Sequence, residues 1–270
     1  MDIPNFEIDA RPTWPYVATP TRWRDLHDIW AFEDDVFGAD NITFERFRDW
    51  WWRYSRMAFH VRDEGGHVVG TFDASPLEPR AFQDLLEGTR DERDLSVECI
   101  RPVRRGEVVR HWCVTSLTAH SAGARRIDVL AALMAGIVER LHALPEVGYP
   151  SAWCAVAQSR EGERVLQRAG FRQYGDGSRT TQPTYLLRLD SAEHLRTFRA
   201  TFAQAANVLT YRQATVRQAP AQPRRNRSET ATFVVCRSRT ADQPGGVAGC
   251  SWEQYLGSPL RRWSEVRPIW

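Results

Sequence analysis

Three groups of residues in this 270-residue chain have types and spacing suited to chemistry. His111 and Cys113 alternate along one strand-like run, so they share a face. A histidine there suits general-base work, since its unperturbed pKa lies near about 6.5. The same spacing allows a Cys/His nucleophile or a buried structural thiol. Glu98, a short way upstream, is a second candidate base. The third group is "TAHSAGARRIDVL", residues 118–130, a polar loop with one glycine and two arginines ahead of an apolar-periodic run. Such a loop is either an ordinary strand-to-helix turn or a place where backbone N–H groups and the helix dipole hold an anion. Arg125 and Arg126 are poorly placed for the dipole unless an anion sits between them and the loop.

Positioning these groups requires a framework, and the hydrophobic periodicity supplies one. Segments 21–38 and 43–56 read as helices, the first closed by Gly38 and the second opened by Thr43. "MAFHVRD" and "HVVGTFDA" flank Glu64-Gly65-Gly66 as a hairpin. A short helix fits 79–88, and 107–119 reads as a long strand. The helix of 121–144 carries Leu130, Met134, Ile137, Val138 and Leu141 on one stripe. "SAWCAVAQ" (151–158) is a strand buried on both faces. Residues 159–171 form a short helix closed at Gly170, 184–190 a strand, and 191–209 a further helix. This alternation predicts an α/β (α+β) domain over 1–212, with a mixed central sheet flanked by helices and an insert at about 78–106. Helix 121–144 is the right-handed crossover between two parallel strands. Residues 213–270 are rich in Pro, Arg, Gln, Ser and Gly, the composition of a loosely structured, partly disordered C-terminal extension.

Composition narrows the classes. The chain is 42% hydrophobic and 26% charged, ordinary for a soluble globular protein. It carries no apolar run of membrane-spanning length, and its first residues lack the pattern of a secretory signal, so a cytoplasmic location is expected. A net charge of +2 is too small to argue for nucleic acid as a partner, which is not expected. Five scattered cysteines without a C-x-x-C pair argue against a disulfide framework and a metal centre. All 36 basic residues are arginine. That excludes lysine catalysis, and it suits a protein that handles reactive acyl donors as well as it suits an Arg-favouring coding sequence. Asp25, Asp28, Glu33, Asp34, Asp35 and Asp40 form an acidic group over the first helix, either a solvated face or a lure for a cationic amine.

Strand 107–119, loop and helix 121–144, followed by "SREGERVLQRAGF", resemble the GNAT superfamily of acyl-CoA N-acyltransferases over roughly residues 12–190. Gly170-Phe171 matches the end of that family's closing helix, Val165 its apolar position and Ser159 its asparagine. The resemblance implies a GNAT-like sheet whose central strand parts from its neighbour. It implies that acetyl-CoA, or another acyl-CoA, lies along Val114, Ser116 and Leu117, with its pyrophosphate on His120, Ser121, Ala122, Gly123, Ala124, Arg125 and Arg126. Ser159 would contact the same cofactor, and His111 or Glu98 would deprotonate an amine-bearing small molecule or peptide. No metal is implied, and a homodimer is compatible. Two departures are visible. Arginine stands where the phosphate loop usually has a small residue, and Leu166 stands where a tyrosine often protonates the thiolate. The alternative reading is a catalytically eroded acyl-CoA-binding or regulatory/interaction protein on the same fold.

Overall fold

A computed structural model describes residues 16–120, 125–175, 183–204 and 232–235. Strands β1 (Ala18–Pro20), β2 (Phe59–Arg62), β3 (Val68–Pro76), β4 (His111–His120), β5 (Ser151–Val156), β6 (Arg172–Gln173) and β7 (Thr184–Leu189) form one mixed sheet in the order β1-β2-β3-β4-β5-β7-β6. A further strand, β8 (Thr232–Val235), joins β4 outside that path. Among the described strands only β4 and β5 pair in parallel. Helix α4 (Arg125–Ala143) makes the crossover between them, as the sequence pattern required.

Local chemistry accounts for the helices that cover the sheet. Helix α1 (Leu26–Phe37) follows a 3-10 turn at Trp23–Asp25, and Gly38 ends it at φ +57°. Thr21, at the start of the segment read as a helix, lies before that turn, with its hydroxyl 3.5 Å from the His60 ring. Helix α2 (Phe44–Arg53) does start at a threonine cap, with Thr43 Oγ1 accepting from the Arg46 N–H at 3.4 Å. Three successive tryptophans on α2 cannot share a face. Trp50 is buried, Trp51 half-buried, and Trp52 is 74% exposed and edge-on to Trp23. The insert is a packed element: α3 (Pro79–Leu86) lays Phe82 against His111, and Leu77 bridges to Ile100. Helix α5 (Arg160–Arg168) opens on Ser159 and runs into Gly170 at φ +91°. Helix α6 spans residues 192–204.

The core lies between the sheet and α4, α5 and α6. Trp112 and Trp153, adjacent on β4 and β5, stack with centroids 4.9 Å apart, and Phe198 of α6 packs on Trp153. At the other end of the stack, Tyr54 at the end of α2 packs edge-on to Trp112 and donates to the buried Glu146 carboxylate at 3.1 Å. Arg56 pairs with the same carboxylate at 2.7 Å, so the buried charge has two partners. Burial first, and Glu146 second, raise the Tyr54 pKa far above the ordinary phenol range.

Helix α4 approaches the sheet closely through two glycines. A Cβ on Gly70 of β3 would meet Val129 Cγ1 at 2.5 Å and the Thr118 carbonyl at 3.1 Å. One on Gly136 would meet Ala18 and Phe59 at 2.7 and 3.0 Å. Gly70→Ala is expected to lower stability by about 1–3 kcal/mol through overpacking. Chemical denaturation measures it, and an unchanged midpoint would show that α4 has room to move.

Candidate active site

The site is built on how β4 treats its two edges. Along one edge it pairs with β3 from Gly70↔Ala119 to Pro76↔Trp112, with a register shift at Asp73/Ala74 that leaves Thr115 as the extra residue. Such a bulge bends the strand and increases its twist. Along the other edge β4 pairs with β5 only at His111↔Ala152, Trp112↔Trp153 and Cys113↔Cys154. Beyond that point β5 continues along β7 while β4 leaves it. Val114, Thr115 and Ser116 have no strand partner on that edge among the described residues, and Leu117–His120 carry β8. The bulge reverses the alternation: Val114 and Leu117 line an apolar cavity with Leu166 and Trp153, while Ser116 turns to the α1 side.

Helix α4 begins at Arg125, five residues past the end of β4. It packs on β1 to β4, with Val129 against Gly70 of β3, and its N-terminus follows the C-terminal end of β4, where its dipole favours an anion. Ser121, Ala122, Gly123 and Ala124, and the side chain of Arg125, lie outside the described residues. His120 and Arg126 are described and sit close together. Burial, and then Arg126, lower the His120 pKa, against the pull of Asp35. Ser159 uses its hydroxyl oxygen to cap α5, accepting from the Gly162 N–H at 3.0 Å.

His111 and Glu98 occupy different surroundings. His111 lies in the closed part of the β4–β5 pair, three residues and so about 10 Å along the strand from Val114. Its Nδ1 is buried without a protein partner, and Phe82 packs on the ring at 4.9 Å. Burial, then Arg101 and Arg110, lower its pKa from 6.5, which keeps the ring neutral and able to accept a proton. Glu98 sits exposed on the 3-10 turn Val97–Cys99. Its pKa is lowered, chiefly by a hydrogen bond from Ser96, so it holds a proton less well than an ordinary carboxylate. No described hydrogen bond or ion pair links the two. Cys113 is buried and its thiol points toward the Val114 carbonyl at 3.7 Å, the environment of a packed sulfur.

The acidic group on α1 separates into distinct roles. Asp25 and Asp28 pair with Arg62 at 3.2 and 2.9 Å, and Asp40 pairs with Arg93 at 3.2 Å. Glu33 is different: it is 0% exposed and accepts from Thr71 Oγ1 at 3.1 Å. Thr71 Oγ1 also lies 3.0 Å from Ser116 Oγ, which lies 3.4 Å from Thr118 Oγ1. This buried polar row crosses from α1 to β4 just after the bulge. Spacing alone could have singled out Glu33, because it falls on the buried stripe of Leu26, Ile29 and Phe37. Tyr185, on β7, is also buried. Burial, followed by Glu163 of α5, raises its pKa, so it stays a protonated donor. Leu166 is buried in the apolar cavity wall and presents no donor.

No protein-family model and no curated protein matches this sequence. Among solved structures, the chain is similar to a protein described as histone acetyltransferase HPA2 and related acetyltransferase from Corynebacterium glutamicum. The identity is 18%, the coverage 66% of this chain and 97% of that one, and the TM-score 0.37. It is also similar to diaminobutyrate acetyltransferase EctA from Paenibacillus lautus, solved with L-2,4-diaminobutyric acid and coenzyme A. There the identity is 14%, the coverage 65% and 95%, and the TM-score 0.41. At these scores the reading of the site rests on the chain's own strands and helices. Among the described residues no helix is long and apolar enough to cross a membrane, and no cluster of His, Cys, Asp and Glu could hold a metal ion.

His60, His111, His120 and His142 all titrate below the ordinary 6.5, with burial as the first cause in each. The folded chain therefore binds fewer protons than the unfolded chain just below pH 6.5. Stability should be full above that pH and fall as pH drops through the lowered values. Denaturant midpoints across this range test it, and a midpoint that rises on acidification would contradict it.

Proposed function

We propose that this protein is an N-acyltransferase that moves an acetyl or related acyl group from an acyl-CoA to an amine by direct attack. One observation carries the reading: the parallel pair β4–β5 parts after Cys113 and Cys154, leaving Val114–Ser116 without a strand partner on that edge among the described residues, a few residues before a 19-residue helix. An open strand edge can take an extended ligand arm with amide groups as if it were another strand. The helix start beside it suits a pyrophosphate. The residues fit an acyl-CoA in this respect: Val114, Ser116 and Leu117 for the arm, and His120 to Arg126 for the anion. When bound, acyl-CoA supplies the activated acyl carbon and a thiolate leaving group.

The chain's own part is positioning and proton movement. The amine nitrogen bonds to the acyl carbon, the carbon–sulfur bond breaks, and the amine gives up a proton. His111 is the better acceptor of that proton, since its Nδ1 is unpartnered by protein and its ring is held neutral. Glu98, exposed and more acidic than usual, is the second candidate. The departing sulfur takes a proton from a donor other than Leu166, and Tyr185 is a protonated hydroxyl close to α5. The acceptor is an amine-bearing small molecule or peptide.

A second reading, an acyl-CoA-binding regulatory protein without turnover, is favoured by one observation: an apolar wall at Leu166 where a thiolate needs a donor. Calorimetry with acetyl-CoA, followed by coenzyme A release over a panel of amines, separates the two. The transferase reading expects binding and release with at least one amine. Binding without release supports the second reading, and absence of binding contradicts both. His111→Ala should lower turnover by about 10²-fold or more if the ring is the base; unchanged turnover removes it from that role.

A further inference from the structure

The edge of β4 that the acyl-CoA reading requires is in part already taken. Strand β8, Thr232–Val235, pairs antiparallel with it: Leu117↔Val235, Thr118↔Val234, Ala119↔Phe233 and His120↔Thr232. It begins on the same edge four residues past the last β4–β5 pair, with α5 packed beside it. β8 is thus an extended backbone on the edge that β5 vacates, between β4 and α5. We infer that residues 232–235 act in cis as a strand plug for the acyl-CoA cleft, and that cofactor and plug compete for the same backbone groups of β4. This rests on the reading of that edge as the acyl-CoA site.

Three physical points support it. A strand edge carries one row of N–H and C=O groups, so two extended occupants cannot use Leu117–His120 at once. The chain can reach: 28 residue steps separate residue 204 at the described end of α6 from Thr232, roughly 90 Å at full extension. A tethered competitor acts at an effective concentration set by its tether, so a weak four-residue pairing can oppose a soluble ligand. The measured affinity for acyl-CoA is then the intrinsic affinity reduced by the fraction of molecules with the plug out.

The test uses the full chain and the variant Phe233→Pro/Val234→Pro. Two successive prolines remove a donor from whichever residue faces β4. Hydrogen exchange followed by mass spectrometry should show the amides of Leu117–His120 protected in the wild type and faster in the variant. Equal exchange overturns the pairing. Calorimetry with coenzyme A should give a Kd lower by about fivefold or more in the variant. Binding of equal strength to both proteins overturns the plug and leaves the acyl-CoA reading intact. Absence of binding to either, with β4 deprotected in the variant, overturns the acyl-CoA reading and the plug with it. A measurement on the wild type alone guards against a misfolded variant: saturating coenzyme A should speed exchange at residues 232–235, and unchanged exchange there in the bound protein overturns the competition. Loss of β4 protection on dilution would mean that the strand comes from a second copy and overturns the assignment in cis.

Discussion

The parting of β4 from β5 is the constraint on which the rest of the molecule depends. Trp112 and Trp153 clamp the two strands at their paired end, and the bulge at Thr115 turns β4 away immediately after. Antiparallel pairing with β3 continues through that bend, so the strand stays ordered while one edge opens. Between the β5 and β8 pairings, only Val114–Ser116 lack a strand partner on this edge among the described residues, and buried N–H and C=O groups need partners. Helix α4 follows from the same geometry. It must cross back over the sheet from the end of β4 to the start of β5, so its N-terminus follows the C-terminal end of β4.

The two sides of β4 have different jobs. Toward α4, α5 and α6 the strand is apolar, with Val114 and Leu117 against Leu166 and Trp153. Toward α1 it is polar, where Ser116 and Thr118 extend the hydrogen bonds of Thr71 and the fully buried Glu33. The bulge places this change of character at the point where the strands part. A cofactor arm held on the backbone there would have an apolar floor on one face and hydroxyl groups on the other. His111 stands apart from this point, in the closed part of the pair, and its role depends on how far the acceptor reaches along the strand.

Much of the framework was legible because its signals are local. Thr43 capping α2, the positive φ of Gly66 in the β2–β3 hairpin and Gly170 after α5 are each decided by a few neighbouring residues. The stripe of α4 follows from 3.6-residue periodicity. What escaped depends on pairing across long separations. "TFVV" at 232–235 lies in a Pro- and Arg-rich stretch with no flanking pattern, and only the vacant edge of β4, more than 100 residues away, makes it a strand. Glu33 falls in the sequence among acids that read as a solvated face or a lure for a cation, although its place on the Leu26–Ile29–Phe37 stripe marks it for burial. Cys113 shares a strand face with His111 in the sequence, but only packing shows that its thiol is enclosed. The side on which Glu98 falls could not be read either, since it is set by how the insert folds over β4.

Ligand binding at the β4 edge beside β8 is open to direct observation. A backbone-amide NMR titration of the full chain with coenzyme A tests it most directly. Binding at this edge should give the largest shifts at Val114–His120 and in the first turn of α4. Saturation with shifts confined to other elements, or no shifts at all, would contradict it.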